Sequence, residues 1–301
     1  MNTALLYLTT VLIWGSTWYA ITLQLGVVDP VVSVAYRFAI AALILLAWCT
    51  VRGKTLRYTL RDHLWIALQG LFLFCANYAV FYVATGYVTS GLVAVVFSTI
   101  AAWNLLFSRL FFATPVGWRV LAGAVLGIGG LGLVFWREVE ALNFHDDAAL
   151  GLMLCILATL LASFGNMASA RNQSRGLPVL QTNAYGMAYG ATFTALFAAL
   201  TGRAFAWDPS FDYLWSMLYL ALFGSVLAFG AYLTLLGRIG AGRAAYAAVL
   251  FPVVALTLSV ALESYTFTPM AALGAALVLG GNVLVLARAK HFAWLSRRRP
   301  A

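Results

Sequence analysis

The chain has 301 residues, of which 63% are hydrophobic and only 9% are charged. Soluble domains carry about 45–50% apolar and about 25% charged residues, so this composition excludes an ordinary soluble domain. The mean hydropathy of +0.93 agrees, and it indicates that lipid surrounds most of the chain. The net charge of +9 does not indicate nucleic acid, because the basic residues lie between apolar runs, where a membrane surface explains them better.

Ten apolar runs follow one another, each close to the ~20 residues that a membrane-spanning helix needs. The predicted spans are 3–23, 31–51, 63–84, 89–112, 116–136, 149–169, 179–201, 212–236, 242–264 and 268–288. The first run is too long for a signal-peptide core, so we expect it to be retained as a span. Barrel strands are shorter and alternate in polarity, which leaves an all-α membrane protein with ten transmembrane helices as the predicted fold class.

The basic residues alternate between the two sides of this arrangement. If the N-terminus is cytoplasmic, fifteen of the 18 Lys and Arg residues fall inside, Arg137 and Arg203 fall outside, and Arg37 lies within a span. The positive-inside rule then predicts that both termini are cytoplasmic. We expect a multi-pass protein of the bacterial inner membrane.

The second half of the sequence repeats features of the first at an offset of about 150 residues. At an offset of 151, Gly123 matches Gly274 and Gly129-Gly130 matches Gly280-Gly281. We therefore divide the chain into a first repeat over 1–140 and a second over 141–301, each with five spans. An odd number of spans makes the two copies cross the membrane in opposite directions. Such inverted repeats are typical of secondary transporters with alternating access.

Three stretches of the sequence carry short motifs. They are Trp14-Gly15-Ser16, Asp29-Pro30 followed by Arg37-Phe38, and the run 244–286, which holds Pro252, Glu263 and Gly280-Gly281. These motifs resemble those of the EamA branch of the drug/metabolite transporter superfamily. The first copy departs from this pattern, with Ala101 and Phe112 at the positions that match Pro252 and Glu263. Within the branch the chain resembles a bacterial exporter of aromatic amino acids. The resemblance covers nearly the whole chain and implies ten helices, a central cavity between the repeats and export of amino acids or related metabolites.

Polar and charged side chains inside spans are costly in lipid, so they are the first candidates for a substrate site. Arg37 is the one basic residue well inside a span. It could bind a substrate carboxylate, or it could reach the interface or fasten neighbouring helices.

The other candidate substrate-binding residues are polar or aromatic side chains on several spans. They are Trp14, Ser16, Trp18, Asn77, Tyr78, Tyr82, Ser98, Trp103, Asn166, Phe229, Tyr232 and Tyr246. Tyr78 and Tyr82 are four residues apart and share one helix face, which suits a pocket for aromatic or aliphatic groups. Packing between helices is the alternative reading of each aromatic residue.

No predicted span has Asp or Glu in its middle, which argues against proton coupling through a buried carboxylate. No P-loop is present, and we expect no cofactor, no metal and no enzymatic activity. An exporter of drug-like cations or sugars stays open as an alternative. An enzyme acting on lipid-linked substrates, a channel and a structural subunit are the alternatives of other classes. The expected partners are a small-molecule substrate and membrane lipid, with no nucleic acid, and we expect a monomer.

Overall fold

The computed structural model describes residues 3–113, 118–134, 136, 147–232, 247–266 and 268–286. Over these residues the regular structure is helical, and ten helices lie at the ten predicted spans. They are α1 Thr3–Thr22, α2 Pro30–Val51, α3 Leu60–Ala84, α4 Ser90–Phe112, α5 Trp118–Val134, α6 Asp147–Ser174, α7 Val179–Leu200, α8 Phe211–Tyr232, α9 Ala247–Leu262 and α10 Pro269–Leu286. The predicted all-α fold class is confirmed.

Six of the described helices, α1 to α4, α6 and α8, are long and apolar enough to cross a membrane by themselves. Shorter apolar stretches lie in α5, α9 and α10. The remaining helix, α7, has 22 residues but more polar ones, and several of these are buried inside the bundle, Gln181, Asn183 and Thr194 among them. Its polarity is therefore directed at other helices rather than at lipid.

Local sequence signals explain where helices begin. The Asp29 carboxylate accepts a hydrogen bond from the backbone N–H of Val31 at 2.8 Å, and Pro30 occupies the first turn of α2. Thr59 and Asp62 form a capping box at the start of α3. These contacts satisfy amide groups that would otherwise lack partners at the helix ends.

Two helices contain π-helical segments at equivalent places in the two halves. They are Leu71–Ala76 in α3 and Tyr219–Leu227 in α8, which lie about 150 residues apart, at the offset that relates the halves. The helix α4 is interrupted at Thr99, where the hydroxyls of Ser98 and Thr99 bond back to carbonyl groups of the preceding turn at 2.7 Å. Such bonds weaken regular helix geometry, so the interruption arises without the proline that α9 carries at position 252.

Glycines bring the helices α5 and α10 close together. A Cβ added at Gly130 would lie 2.6 Å from the Gly274 carbonyl oxygen, and one added at Gly281 would lie 2.6 Å from the Gly123 carbonyl oxygen. At the offset of 151, Gly123 matches Gly274 and Gly130 matches Gly281. The contact of Gly281 with Gly123 is therefore the counterpart of the contact of Gly130 with Gly274 when the two halves are exchanged. Two halves related by a pseudo-twofold axis would make this pair of contacts.

Two polar contacts join segments that the predicted topology places on the outer side. Arg203 forms an ion pair with Asp29 at 2.6 Å. The backbone N–H of Ser90 donates to both Glu263 carboxylate oxygens at 3.1 and 3.2 Å, and its hydroxyl donates to Oε2 at 2.5 Å. The Glu263 carboxylate thereby caps the start of α4 from the end of α9, which ties the first repeat to the second.

Glu263→Gln is expected to lower the apparent melting temperature of the purified protein by about 2–4 °C, because a charge-assisted contact is replaced by a neutral one. Ser90→Ala should give a similar loss, and the double variant should lose little more, since the two side chains act through one contact. Melting in detergent with a thiol-reactive or intrinsic fluorescence reporter measures all three. Unchanged melting of Glu263→Gln would contradict a stabilising role for this cap.

Candidate functional site

A cavity of about 180 Å³ lies at the centre of the bundle. Among the described residues, seven helices line it, α1 to α4 of the first half and α6, α8 and α9 of the second. The π-helical segments of α3 and α8 and the interruption of α4 contain or adjoin lining residues. A cavity between the halves is where transporters with inverted repeats place their substrate.

The wall of the cavity is aromatic with a few polar groups. Eight of the 17 described residues that line it are aromatic, and Trp14 packs against Phe229 and Tyr232 with ring centroids 5.3 and 5.1 Å apart. The polar lining consists of Thr17, Arg37 and three asparagines. This combination suits a small ligand with an apolar body and few charges.

Arg37 is the one charged residue among the described residues that line the cavity, and it is 1% exposed. Its Nε donates to the Ser225 hydroxyl at 3.2 Å, and its Nη1 donates to the Tyr82 hydroxyl at 3.4 Å. The guanidinium lies over the Tyr78 ring, 4.7 Å from its centroid. Among the described residues it forms no ion pair, so its charge has neutral partners only.

Asn77 contributes a second unusual group to the wall. Its side chain is 2% exposed, and its Oδ1 is buried without a hydrogen-bond donor among the described residues. A buried acceptor without a partner is costly unless a ligand or water fills that place. Asn77 and Arg37 both line the cavity, so its wall holds an unused acceptor and an unpaired cation.

The other two lining asparagines lie together on α4 and α6. Asn104 Oδ1 accepts hydrogen bonds from the Ser163 hydroxyl at 2.8 Å and from Asn166 Nδ2 at 3.2 Å. Both asparagines are only partly buried, because they face the cavity.

The structure brings eight of the thirteen predicted site residues to one cavity. They are Trp14, Trp18, Arg37, Asn77, Tyr78, Asn166, Phe229 and Tyr232. The reading of Arg37 as a residue that reaches the interface is excluded by its burial, whereas its bonds to α3 and α8 agree with a fastening role.

Four predicted residues lie outside the cavity wall. Ser16 bonds to the Tyr219 hydroxyl at 2.6 Å, and Tyr82, although on the same helix as Tyr78, is fully buried behind Arg37 and donates to Gln24. Ser98 accepts a hydrogen bond from Asn282 at 3.0 Å, and Trp103 lines a separate apolar cavity beside α5. Tyr246 lies outside the described residues.

Sequence reasoning missed much of the apolar wall. Leu73, Phe81, Phe97, Ile100 and Phe251 line the cavity, yet in the sequence nothing distinguishes them from residues that face lipid. Gln24 was also missed, although a glutamine inside a membrane protein is a signal that could have identified it. The carboxamide of Gln24 is 1% exposed and supports Tyr82.

The sequence matches the EamA-like transporter family twice, over residues 1–136 and again over 149–287. The chain belongs to this family. The resemblance in its short motifs is thereby confirmed, and the protein is a multi-pass membrane transporter.

Individual relatives agree with this assignment. The uncharacterized inner membrane transporter YedA of Escherichia coli K12 is 30% identical over 276 residues, which cover 91% of this chain and 87% of the relative. The probable amino-acid metabolite efflux pump of the same strain is 25% identical, with 92% of each chain covered. PagO of Salmonella typhimurium is 25% identical over 89% of this chain and 86% of that one.

A solved crystal structure has the same fold. It superposes with a TM-score of 0.68 and covers 96% of this chain and 98% of its own, at 20% sequence identity. Together with the family assignment it supports the fold predicted from the sequence, a membrane protein of ten helices in two inverted repeats of five.

Proposed function

We propose that this transporter exports amino acids, aromatic and other apolar ones first, together with related metabolites. The unpaired Arg37 in the wall of the central cavity carries the proposal. The sequence resemblance to YddG, a bacterial exporter of aromatic amino acids, and the relative named as a probable amino-acid metabolite efflux pump support it.

A buried arginine without a carboxylate beside it is prepared for an anionic ligand. Burial of an ionised group costs several kcal/mol unless charge and hydrogen bonds compensate it, and Ser225 and Tyr82 compensate only in part. A ligand carboxylate would supply the missing negative charge and accept guanidinium N–H groups. The Asn77 oxygen would accept an N–H of the α-ammonium group, which the Tyr78 and Trp14 rings would also attract.

The same observations weigh against the alternatives within this fold. A drug-like cation would meet the Arg37 charge with no acidic residue in the described wall to offset it. A nucleotide sugar would need several basic residues for its phosphates, and the described wall has one. The described residues also contain no group of three or more His, Cys, Asp or Glu side chains of the kind that binds a metal, so a metal-dependent enzyme on lipid-linked substrates has no centre there.

The mechanism belongs to the same proposal. The repeats 1–140 and 141–301 move against each other around the cavity and expose it to one side at a time, with both termini in the cytoplasm. The two separate family matches support this division. The described residues of the cavity wall include no Asp or Glu that could carry a coupled proton, so we propose a uniporter that moves the zwitterion down its own gradient. We propose that it works as a monomer and without a cofactor.

The experiment is flux in liposomes that contain the purified protein. Labelled phenylalanine, tyrosine, leucine and glutamate are placed inside, and efflux is followed with and without an imposed pH gradient. The proposal expects saturable efflux of the neutral amino acids without a gradient, and much less efflux of glutamate. Absence of flux for every amino acid in folded protein would overturn the amino-acid assignment. Flux that needs a proton gradient would overturn the uniporter.

A further inference from the structure

The cavity has a second polar region, and it lies away from Arg37. The guanidinium contacts α3 at Tyr78 and Tyr82, whereas α6 crosses α3 at Leu73, where a Cβ added at Gly165 would lie 2.7–2.9 Å from Leu73 atoms. Asn166 follows Gly165 in α6 and holds Asn104. Along α3, Leu73 lies five residues before Tyr78 and nine before Tyr82. The asparagine pair and the guanidinium are therefore roughly 7–13 Å apart along this helix.

The asparagine pair keeps one donor and one acceptor for the cavity. Its hydrogen bonds with described residues use Asn104 Oδ1 and Asn166 Nδ2, which leaves Asn104 Nδ2 and Asn166 Oδ1. Exchanging oxygen and nitrogen in both amides would leave the complementary donor and acceptor. The pair can therefore bind a group that both donates and accepts a hydrogen bond.

We infer that Asn104 and Asn166 form a subsite for a hydroxyl or carboxamide at the far end of the substrate's side chain. The inference rests on the proposed function, because it places the carboxylate of an amino acid at Arg37 and lets its side chain extend along α3. A phenol can donate to one amide and accept from the other. The substrates favoured are then amino acids such as tyrosine and glutamine, in preference to analogues of the same shape without the polar group.

The spacing and chemistry of the wall support this orientation. Apart from its few polar groups the described lining is apolar or aromatic, with Leu73, Phe229 and Trp14 among it, so the rest of the ligand meets mainly hydrophobic side chains. A site that offers hydrogen bonds discriminates against a ligand that leaves them unmade. Because water can enter a cavity of this size and replace a missing hydroxyl in part, we expect discrimination of about tenfold, which corresponds to one net hydrogen bond.

The test compares tyrosine with phenylalanine, which differ by one hydroxyl. Efflux from liposomes gives the ratio of their kcat/KM values for wild type, Asn166→Leu and Asn166→Ser. We expect a wild-type ratio of about ten in favour of tyrosine. The ratio should fall to near one in Asn166→Leu because tyrosine loses its advantage over phenylalanine, and Asn166→Ser should lie between. The matched control is Asn282→Leu, which removes a buried amide that bonds to Ser98 outside this cavity and should keep the wild-type ratio.

The outcomes separate this inference from the proposed function. Equal efflux of tyrosine and phenylalanine in wild type, or a tyrosine preference that both Asn166 variants keep, overturns the subsite while amino-acid transport stands. A loss of preference in Asn282→Leu as large as in Asn166→Leu also overturns it, because the effect would then come from general disturbance of the bundle. No efflux of either amino acid in wild type overturns the proposed function itself.

Discussion

Arg37→Met is expected to lower amino-acid efflux at least about tenfold, because the substrate carboxylate loses its charged partner. Methionine keeps much of the length and apolar bulk of the arginine side chain, so the cavity wall stays filled. Arg37→Lys should retain part of the activity, since the charge remains but the planar group that donates to two partners is lost. Initial efflux rates from liposomes, normalised to the amount of folded protein, measure the series.

The control separates ligand binding from helix fastening. Ser225→Ala and Tyr82→Phe each remove one hydroxyl that Arg37 bonds, but they leave its charge in place. If Arg37 acts on the substrate, the double variant keeps most of the efflux. If the double variant is as inactive as Arg37→Met, Arg37 serves only to fasten α2 to α3 and α8, and the argument for a carboxylate ligand fails.

Gly130→Ala is expected to lower the apparent melting temperature by about 5 °C or more, although alanine is the better helix former. The added Cβ would lie 2.6 Å from the Gly274 carbonyl oxygen, a backbone atom that cannot rotate away. The helices α5 and α10 must therefore separate, and their packing is lost along the interface. Thermal melting followed by size-exclusion chromatography in detergent measures the effect.

The matched control is the adjacent residue. Gly129 is exposed, and a Cβ placed there meets no atom within 4 Å, so Gly129→Ala should leave the melting temperature unchanged or raise it. Gly281→Ala and Gly280→Ala form the equivalent pair on α10, with 2.6 Å and no contact respectively. Equal effects within both pairs would contradict a close glycine contact between these helices.

The sequence predicted those features of the fold that depend on contact with lipid. The ten apolar runs predicted the ten helices because each span must satisfy its own backbone hydrogen bonds. The sequence could not predict the π-helical segments Leu71–Ala76 and Tyr219–Leu227, since apolar residues fit an α-helix equally well. Nor could it separate the glycines of α5, where Gly123 and Gly130 contact α10 but Gly129 and Gly132 do not, because that depends on the direction from which α10 approaches.

The cavity was predictable only in part. A polar residue within a span is expected to face away from lipid, but its polarity does not show whether it lines the cavity or packs against another helix. Arg37 and Asn77 were found by their polarity, and both line the cavity. Tyr82 carries the same signal as Tyr78, yet one turn of helix places it behind Arg37, where its hydroxyl bonds to Gln24. Phe251 carries no signal at all, since a phenylalanine that faces lipid has the same cost as one that faces a cavity.

The measurement that tests the central claim most directly is competition against labelled tyrosine efflux by tyramine, which keeps the amine and the phenol but lacks the carboxylate. If Arg37 holds the carboxylate, tyramine should compete at least about tenfold more weakly than unlabelled tyrosine in wild type, and this difference should vanish in Arg37→Met. Tyramine that competes as well as tyrosine in wild type would contradict carboxylate recognition and would make an amine exporter the better account of the same cavity.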